Sequence, residues 1–475
     1  MVAAVLAIRL VVGAVVHLGE DESYYRLWSM APALGYYDHP PMIAWWIWLG
    51  RSLAGDTALG VRLVSILAAA VTTILVFDLA RLAGAGERGA TTAAVWFNAM
   101  PLVGVGGLLA VPDAPASLFW TLSLCCALRA VGKSSARWWI AAGAAAGLAS
   151  LSKYSGLFLA PGLLLWLALS PQGRRQLAGA GPWLGLATGL SVFTPNVLWN
   201  AHHHWLTFAR QFGRVTPTHF APWHLPEFLG EQFLLLNPLL VVVIGLGLAG
   251  RRKQRREGSD LTPLIATSLP FAAYLLLHSL HDQVQAHWPA PLYPAAAACA
   301  GVIAERLATS GAWPRLRRAV PIVGFAVCGL VAVALLAPAG WWPRPIDPLL
   351  PLQGWPRFAG AVQQTAVGGG DAWIGTASYG LTAQLAGERS LKEPVLQLGE
   401  RARYMDLPLP KPNLARPGLV IDLPRRIKLA ALRRCFSVVG PEGSLERGPP
   451  AHKGIAYETV EVAGLRLAVD RVGCW

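Results

Sequence analysis

The sequence predicts a polytopic α-helical membrane protein of about eleven transmembrane helices, followed by a small C-terminal α/β domain. Three observations predict it. Of the 475 residues, 54% are hydrophobic and only 14% charged, where soluble domains carry about 25% charged residues. Apolar runs of about 18 residues, the length that spans a bilayer core, recur along the first two thirds of the chain. From residue 340 the runs give way to prolines and charges of both signs.

The apolar segments fall at 2–18, 58–80, 90–110, 114–132, 137–152, 154–170, 177–199, 226–249, 261–280, 287–307 and 319–339. Residues 40–54, PPMIAWWIWLGRSLA, are apolar but short and Trp-rich. They read as a helix lying at the headgroup level inside a loop 19–57. Acids rather than a small-residue cleavage site follow the first run, so it reads as a retained span. With the N-terminus in the cytoplasm, the cytoplasmic loops hold fifteen Lys and Arg, including RRKQRR at 251–256, and the opposite loops five. The positive-inside tendency favours that orientation. It puts loop 19–57, Asp113, Lys153, the loop of His202, His203 and His204, and the turn at 281–287 outside the cytoplasm. The net charge of +14 follows from the same loops. No basic run alternates with stacking aromatics as single-strand nucleic-acid binders require, so nucleic acid is not an expected partner.

Two domains are expected: a membrane domain over 1–339 and an extracytoplasmic α/β domain over 340–475. In the second, 373–378 (WIGTAS) and 418–423 (GLVIDL) read as strands, and 378–387 and 424–435 as helices. ETVEVAGLRLAVDRV reads as a hairpin turning at Ala463-Gly464. Cys125, Cys126, Cys299 and Cys328 lie in apolar runs and read as small apolar residues. Cys435 and Cys474 are a candidate disulfide pair. Neither a P-loop nor a dinucleotide fingerprint is present, so no nucleotide cofactor is expected.

The residues suited to chemistry collect in the loops. In GEDESYYRLW, helical spacing puts Asp21, Tyr24, Tyr25 and Trp28 on one face. A carboxylate over such a strip, with Glu22 beside it, can deprotonate an acceptor hydroxyl. Tyr36 and Tyr37 extend the candidate substrate lining. Asp38 and His39, before two prolines, suit a divalent metal, a phosphate, or simply a capped turn. Asp113, in VPDAPASLFW, suits a helix cap or a further acid of the site. Lys153 lies in an otherwise apolar stretch, where a lysine snorkels or meets an anion such as a lipid phosphate. WNAHHHWLTFARQFGR supplies Arg210 and Arg214 for the same anion. HDQVQAHWPAPLYP supplies His287 and Trp288 for a polar ligand.

DESYYRLWS, LGYYDHPPMIAWW, VRLVSILAAAVTTILVFDLAR, VPDAPASLFW, LSKYSG, TPNVLWNAHHHWLTFARQFGR and HWPAPLYP, in this order, resemble blocks of the bacterial glycosyltransferase family 39-like proteins. These belong to the C-type (GT-C) superfamily of membrane glycosyltransferases, with the protein O-mannosyltransferases, the lipid A aminoarabinose transferases and the rhizobial galacturonosyltransferases. The galacturonosyltransferase-like branch is nearest in pattern. The resemblance implies an enzyme of the bacterial inner membrane whose site faces the periplasm. It would move a sugar from a polyprenyl-phosphate carrier to a hydroxyl of a lipid (lipid A or lipopolysaccharide core), a glycan or a protein. By position, Asp21 matches the family's catalytic base and Glu22 its neighbour. Asp38-His39 falls where aminoarabinose transferases carry Glu-Lys, a pair linked to metal and donor phosphate. His39 then suits either role, and Asp38, His39 and Asp113 become candidate ligands of a divalent metal cofactor. Lys153 matches the lysine that meets the carrier phosphate, with Arg210 and Arg214 as companions. A transporter or flippase of the same carrier would show mid-span charges and inverted repeats, and neither is found. An O-antigen-ligase-like transferase would not need the Asp-Glu pair.

Overall fold

A computed structural model describes residues 1–213, 219–249, 260–338, 349–404, 407, 409, 413–449 and 454–466. The chain forms two compact units, residues 1–14 with 34–333, and residues 15–33 with 334–475. Arg214, Cys474 and the RRKQRR cluster lie outside the described residues.

The first unit is helical. Ala58–Leu82, Asp113–Lys133 and Pro314–Leu336 are long and apolar enough to cross a membrane. Counting each of three bent helix pairs as one span gives up to six among the described residues. Several expected spans are interrupted, and proline is the reason. The run at 226–249 is two helices, His224–Leu235 and Pro238–Ala249, bent by 97°. Pro238 brings no N–H to continue the ladder. Asn237 takes the left-handed φ of 77° that its short polar side chain tolerates. Its amide is buried and donates to the Val320 carbonyl at 2.9 Å. The run at 90–110 likewise divides into Glu87–Asn98 and Pro101–Gly106. The Trp-rich stretch is the helix Met42–Ala54.

Close helix contacts rest on small residues. Ala136–Ser152 meets Gly181–His202 through Gly143 and Gly147 on one helix and Gly185 and Gly189 on the other. A Cβ at Gly143 would overlap the Gly185 carbonyl. Lipid offers no hydrophobic drive for helix association, so close backbone approach through small residues supplies the contact energy.

The second unit contains a five-stranded sheet, β1 (Ile374–Thr376), β2 (Val395–Gln397), β3 (Gly418–Asp422), β4 (Phe436–Arg447) and β5 (Ile455–Leu465), in the order β2-β1-β3-β5-β4. β1 pairs in parallel with β2 and β3, and β5 antiparallel with β3 and β4. Alternation along β3 buries both faces: Leu419 and Ile421 join Trp355 and Phe358 on one side, Val420 joins Trp373 and Phe436 on the other. The expected helix at 378–387 is Tyr379–Gly387. The one expected at 424–435 is a single turn, Pro424–Arg426, and then Leu429–Cys435. The expected hairpin turn at Ala463-Gly464 is not a turn. β5 runs through it, with Gly464 at φ 68° beside Ser437. Its partner is β4, whose Gly440-Pro441 hid a strand, and the two strands are joined across 448–454. Cys435 is disulfide-bonded. Cys125, Cys126, Cys299 and Cys328 are thiols rather than disulfides.

Asp371 is buried just before β1, and among the described residues neither carboxylate oxygen has a hydrogen-bond partner. Burial first, and then Glu461, push its carboxyl up to about 6. The folded value lies above the unfolded one, so the native state holds this proton more tightly. This group's contribution to stability is therefore full below about pH 4 and lost as pH rises through about 6. Asp371→Asn is expected to stabilise the protein at pH 7.5 by about 1–3 kcal/mol and to do little at pH 4. Thermal unfolding of the two proteins at both pH values checks it.

Candidate active site

In the first unit the polar centre is an ion pair. Asp113 is the first residue of helix Asp113–Lys133, where the free N–H groups favour a carboxylate. Pro112, not Asp113, holds the cap position, so the capping expectation is replaced by a tertiary one. Lys153 ends helix Ala136–Ser152 in an extended conformation, φ −157°, which turns its side chain out of the helix direction. Its Nζ donates to Asp113 Oδ1 at 2.6 Å, with only 13% and 8% of the two side chains exposed. The exposed His287 places Nε2 3.7 Å from Asp113 Oδ2. Beside Lys153, Tyr154 donates to Asn196 Oδ1 and receives from Asn200 Nδ2.

The loop that follows residue 33 is pinned to this unit. Gly35 lies on the Trp199 ring so closely that a Cβ would overlap it. Asn196 donates to the Leu34 carbonyl at 2.8 Å and Thr207 to that of Tyr36 at 2.7 Å. Gln211 donates to the Asp38 carbonyl. This fixes Asp38, which is buried, 3.7 Å from Arg210 Nε, with the Arg210 guanidinium 5.7 Å from the Tyr37 ring centre. Tyr36 is buried, while Tyr37 and His39 are half-buried. His203 stacks on Trp199 at 3.9 Å, with Nδ1 at the Trp199 carbonyl. Trp288 packs 5.5 Å from His278.

The metal expectation meets a physical objection. Among the described residues no three His, Cys, Asp or Glu side chains are grouped to hold an ion. Asp113 already faces Lys153, and Asp38 faces Arg210. A metal at either carboxylate would compete with a fixed protein cation, so Asp38, His39 and Asp113 do not fit one here.

In the second unit, helix Glu20–Trp28 carries the Asp-Glu pair. The two acids diverge. Glu22 is buried, and its Oε2 accepts the Gly19 N–H at 3.0 Å, satisfying a free donor at the helix start. Asp21 is exposed, and its Oδ1 accepts from Tyr379 Oη at 2.8 Å. Tyr24 and Tyr25, expected to line the substrate, are buried. Tyr24 packs 5.3 Å from Tyr379, 5.4 Å from Tyr404 and 4.8 Å from Trp28. Ser23 donates to Gln384 Oε1 at 3.1 Å, and His17 and Glu388 are 2.9 Å apart. Tyr379 and Arg403 were not singled out from the sequence. The tail carries no motif to mark them, and only the fold brings Tyr379 to Asp21 and Arg403 to the Tyr379 ring.

Comparison with known proteins adds to this geometry. Residues 38–199 match the model of the dolichyl-phosphate-mannose-protein mannosyltransferase family. Lipid A galacturonosyltransferase RgtD of Rhizobium johnstonii is 26% identical over 321 residues, 64% of this chain and 64% of that protein. Undecaprenyl phosphate-alpha-4-amino-4-deoxy-L-arabinose arabinosyl transferase of Edwardsiella ictaluri is 27% identical over 339 residues, 67% of this chain and 59% of that one. The chain thus spans just under two thirds of the length of these relatives. ArnT from Cupriavidus metallidurans, solved bound to undecaprenyl phosphate, superposes with a TM-score of 0.67 over 97% of both chains at 14% identity. The oligosaccharyltransferase AglB from Archaeoglobus fulgidus gives 0.54 at 12% identity, over 86% of this chain and 66% of its own. The chain has the fold of the C-type membrane glycosyltransferases, with apolar helices and a C-terminal sheet, and it is similar in sequence to the aminoarabinose and galacturonosyl transferases among them.

Proposed function

We propose that the protein is a membrane glycosyltransferase that moves a sugar from a polyprenyl-phosphate donor to a hydroxyl of lipid A, another glycan or a protein. The observation that carries this reading is Lys153, a nearly buried cation held by Asp113. The same unit has an apolar cavity of about 350 Å³, whose lining includes Ser150, Gly156 and Leu157, the near neighbours of Lys153 in sequence. A phosphate on a prenyl chain has this character, an anion joined to an apolar tail. When the phosphate arrives, Lys153 meets it while still held by Asp113, so the buried carboxylate keeps its cation.

In this reading the acceptor oxygen attacks the anomeric carbon in line and with inversion. The carbon–oxygen bond to phosphate breaks, and its electron pair leaves on the carrier. Lys153 and Arg210 stabilise that charge, with Arg214 and His39 as further candidates. Asp21 takes the acceptor proton. Glu22 orients the helix that carries Asp21. Tyr36, Tyr37, His287 and Trp288 remain the candidate lining, while Tyr24, buried, packs on the Tyr379 ring that reaches Asp21. No nucleotide or metal enters the scheme. The same proposal includes eleven spans with the N-terminus in the cytoplasm, a membrane domain over 1–339, a periplasmic domain over 340–475, and a site facing the periplasm of a bacterial inner membrane. The charge asymmetry of the loops supports it.

The test is reconstitution in liposomes containing lipid A and undecaprenyl phosphate carrying galacturonic acid or 4-amino-4-deoxy-L-arabinose. Mass spectrometry should show lipid A heavier by one sugar. Movement of the carrier-linked sugar between leaflets, with lipid A unchanged, would favour a flippase instead.

A further inference from the structure

We propose that Tyr379, from the C-terminal part of the chain, is a positioning residue for the Asp21 carboxylate, and that Arg403 and Asp422 hold it in place. The inference rests on the reading of Asp21 as the base. Its geometry lies wholly within the second unit. Tyr379 Oη donates to Asp21 Oδ1 at 2.8 Å. That hydrogen bond occupies one carboxylate oxygen and leaves Oδ2 to receive the acceptor proton.

Tyr379 is held through its backbone and through its ring. Asp422, buried at the end of β3, accepts the N–H groups of Ala377 and Ser378 at 2.8 and 2.7 Å. These two residues lead into helix Tyr379–Gly387, so the strand fixes where the helix starts. Tyr404 Oη donates to the Tyr379 carbonyl at 2.6 Å. The Arg403 guanidinium lies 4.4 Å from the Tyr379 ring centre, a cation–π distance, and Glu400 pairs with Arg403 at 2.6 Å. Burial and the neighbouring Asp21 carboxylate push the phenol above its ordinary range. It therefore keeps its proton across the working pH and remains a donor.

A carboxylate held through one oxygen presents the other in a single direction, so removing the donor should slow the step that uses it without weakening substrate binding. Tyr379→Phe keeps the ring and its packing and removes only the O–H. In the liposome assay kcat is expected to fall about three- to tenfold with KM unchanged, near the lower range for a hydrogen bond to a charged group because Asp21 is exposed. An unchanged kcat, or a loss carried by KM alone, overturns the inference. Asp21→Asn, assayed alongside, separates the two claims. Full activity there would sink the base reading itself, whereas an inactive Asp21→Asn with an unchanged kcat in Tyr379→Phe sinks only the role of Tyr379.

Discussion

Lys153→Met should destabilise the protein and abolish transfer together, and adding Asp113→Asn should restore only the stability. Removing the lysine leaves a buried carboxylate at 8% exposure without its cation. Breaking a buried pair from one side typically costs about 3–5 kcal/mol, because the surviving charge stays desolvated. Asparagine removes that charge, so the double variant should unfold near the temperature of the parent. Transfer should nevertheless remain down by about 10²–10³-fold, the loss typical of removing one group that stabilises developing negative charge. Thermal unfolding in detergent and the lipid A transfer rate read the two effects separately. Recovery of both by the double variant would make Lys153 part of the scaffold and remove the basis for a phosphate site.

Asp21→Asn should show the opposite pattern, a large loss of rate with almost no change in stability. The side chain is exposed, and its one described hydrogen bond, from Tyr379, can be accepted by an amide oxygen as well. General-base catalysis contributes about 10²–10⁴-fold, which sets the expected fall in kcat. The neighbouring acid provides a control. Glu22→Gln touches a buried side chain that caps its helix, so it should cost about 1 kcal/mol of stability through weakened capping. A Glu22→Gln protein that is fully folded yet as inactive as Asp21→Asn would give Glu22 a direct part in the chemistry.

Much of this was legible in the sequence, and the gaps have physical causes. The membrane character and the α/β tail follow from composition and periodicity, which report burial directly. Lys153 was legible because a cation among apolar residues requires a partner. Its pairing with Asp113 was not, because the two residues lie 40 positions apart and only helix packing joins them. The fractured helices were harder to read. Hydropathy averages across Asn237-Pro238 and Met100-Pro101, whereas the backbone breaks there. The aromatic strip of Tyr24, Tyr25 and Trp28 was correctly placed on one helix face, but periodicity does not reveal what covers a face. Its partners, Tyr379 and Tyr404, come from the far end of the chain.

That separation matters for biosynthesis. The hydrogen bond to Asp21 closes a loop of 358 residues. At ribosomal rates of about 5–20 residues per second, the donor emerges on the order of 20–70 s after the acceptor. During that interval the helix Glu20–Trp28 has no Tyr379 or Tyr404 against its Tyr24 ring and no Gln384 for Ser23. A chain cut short anywhere before residue 379 can insert helices into the bilayer but cannot complete this contact. The arrangement makes the covering of this helix wait for the last fifth of the chain, so truncated products would carry Asp21 without the phenol that holds it.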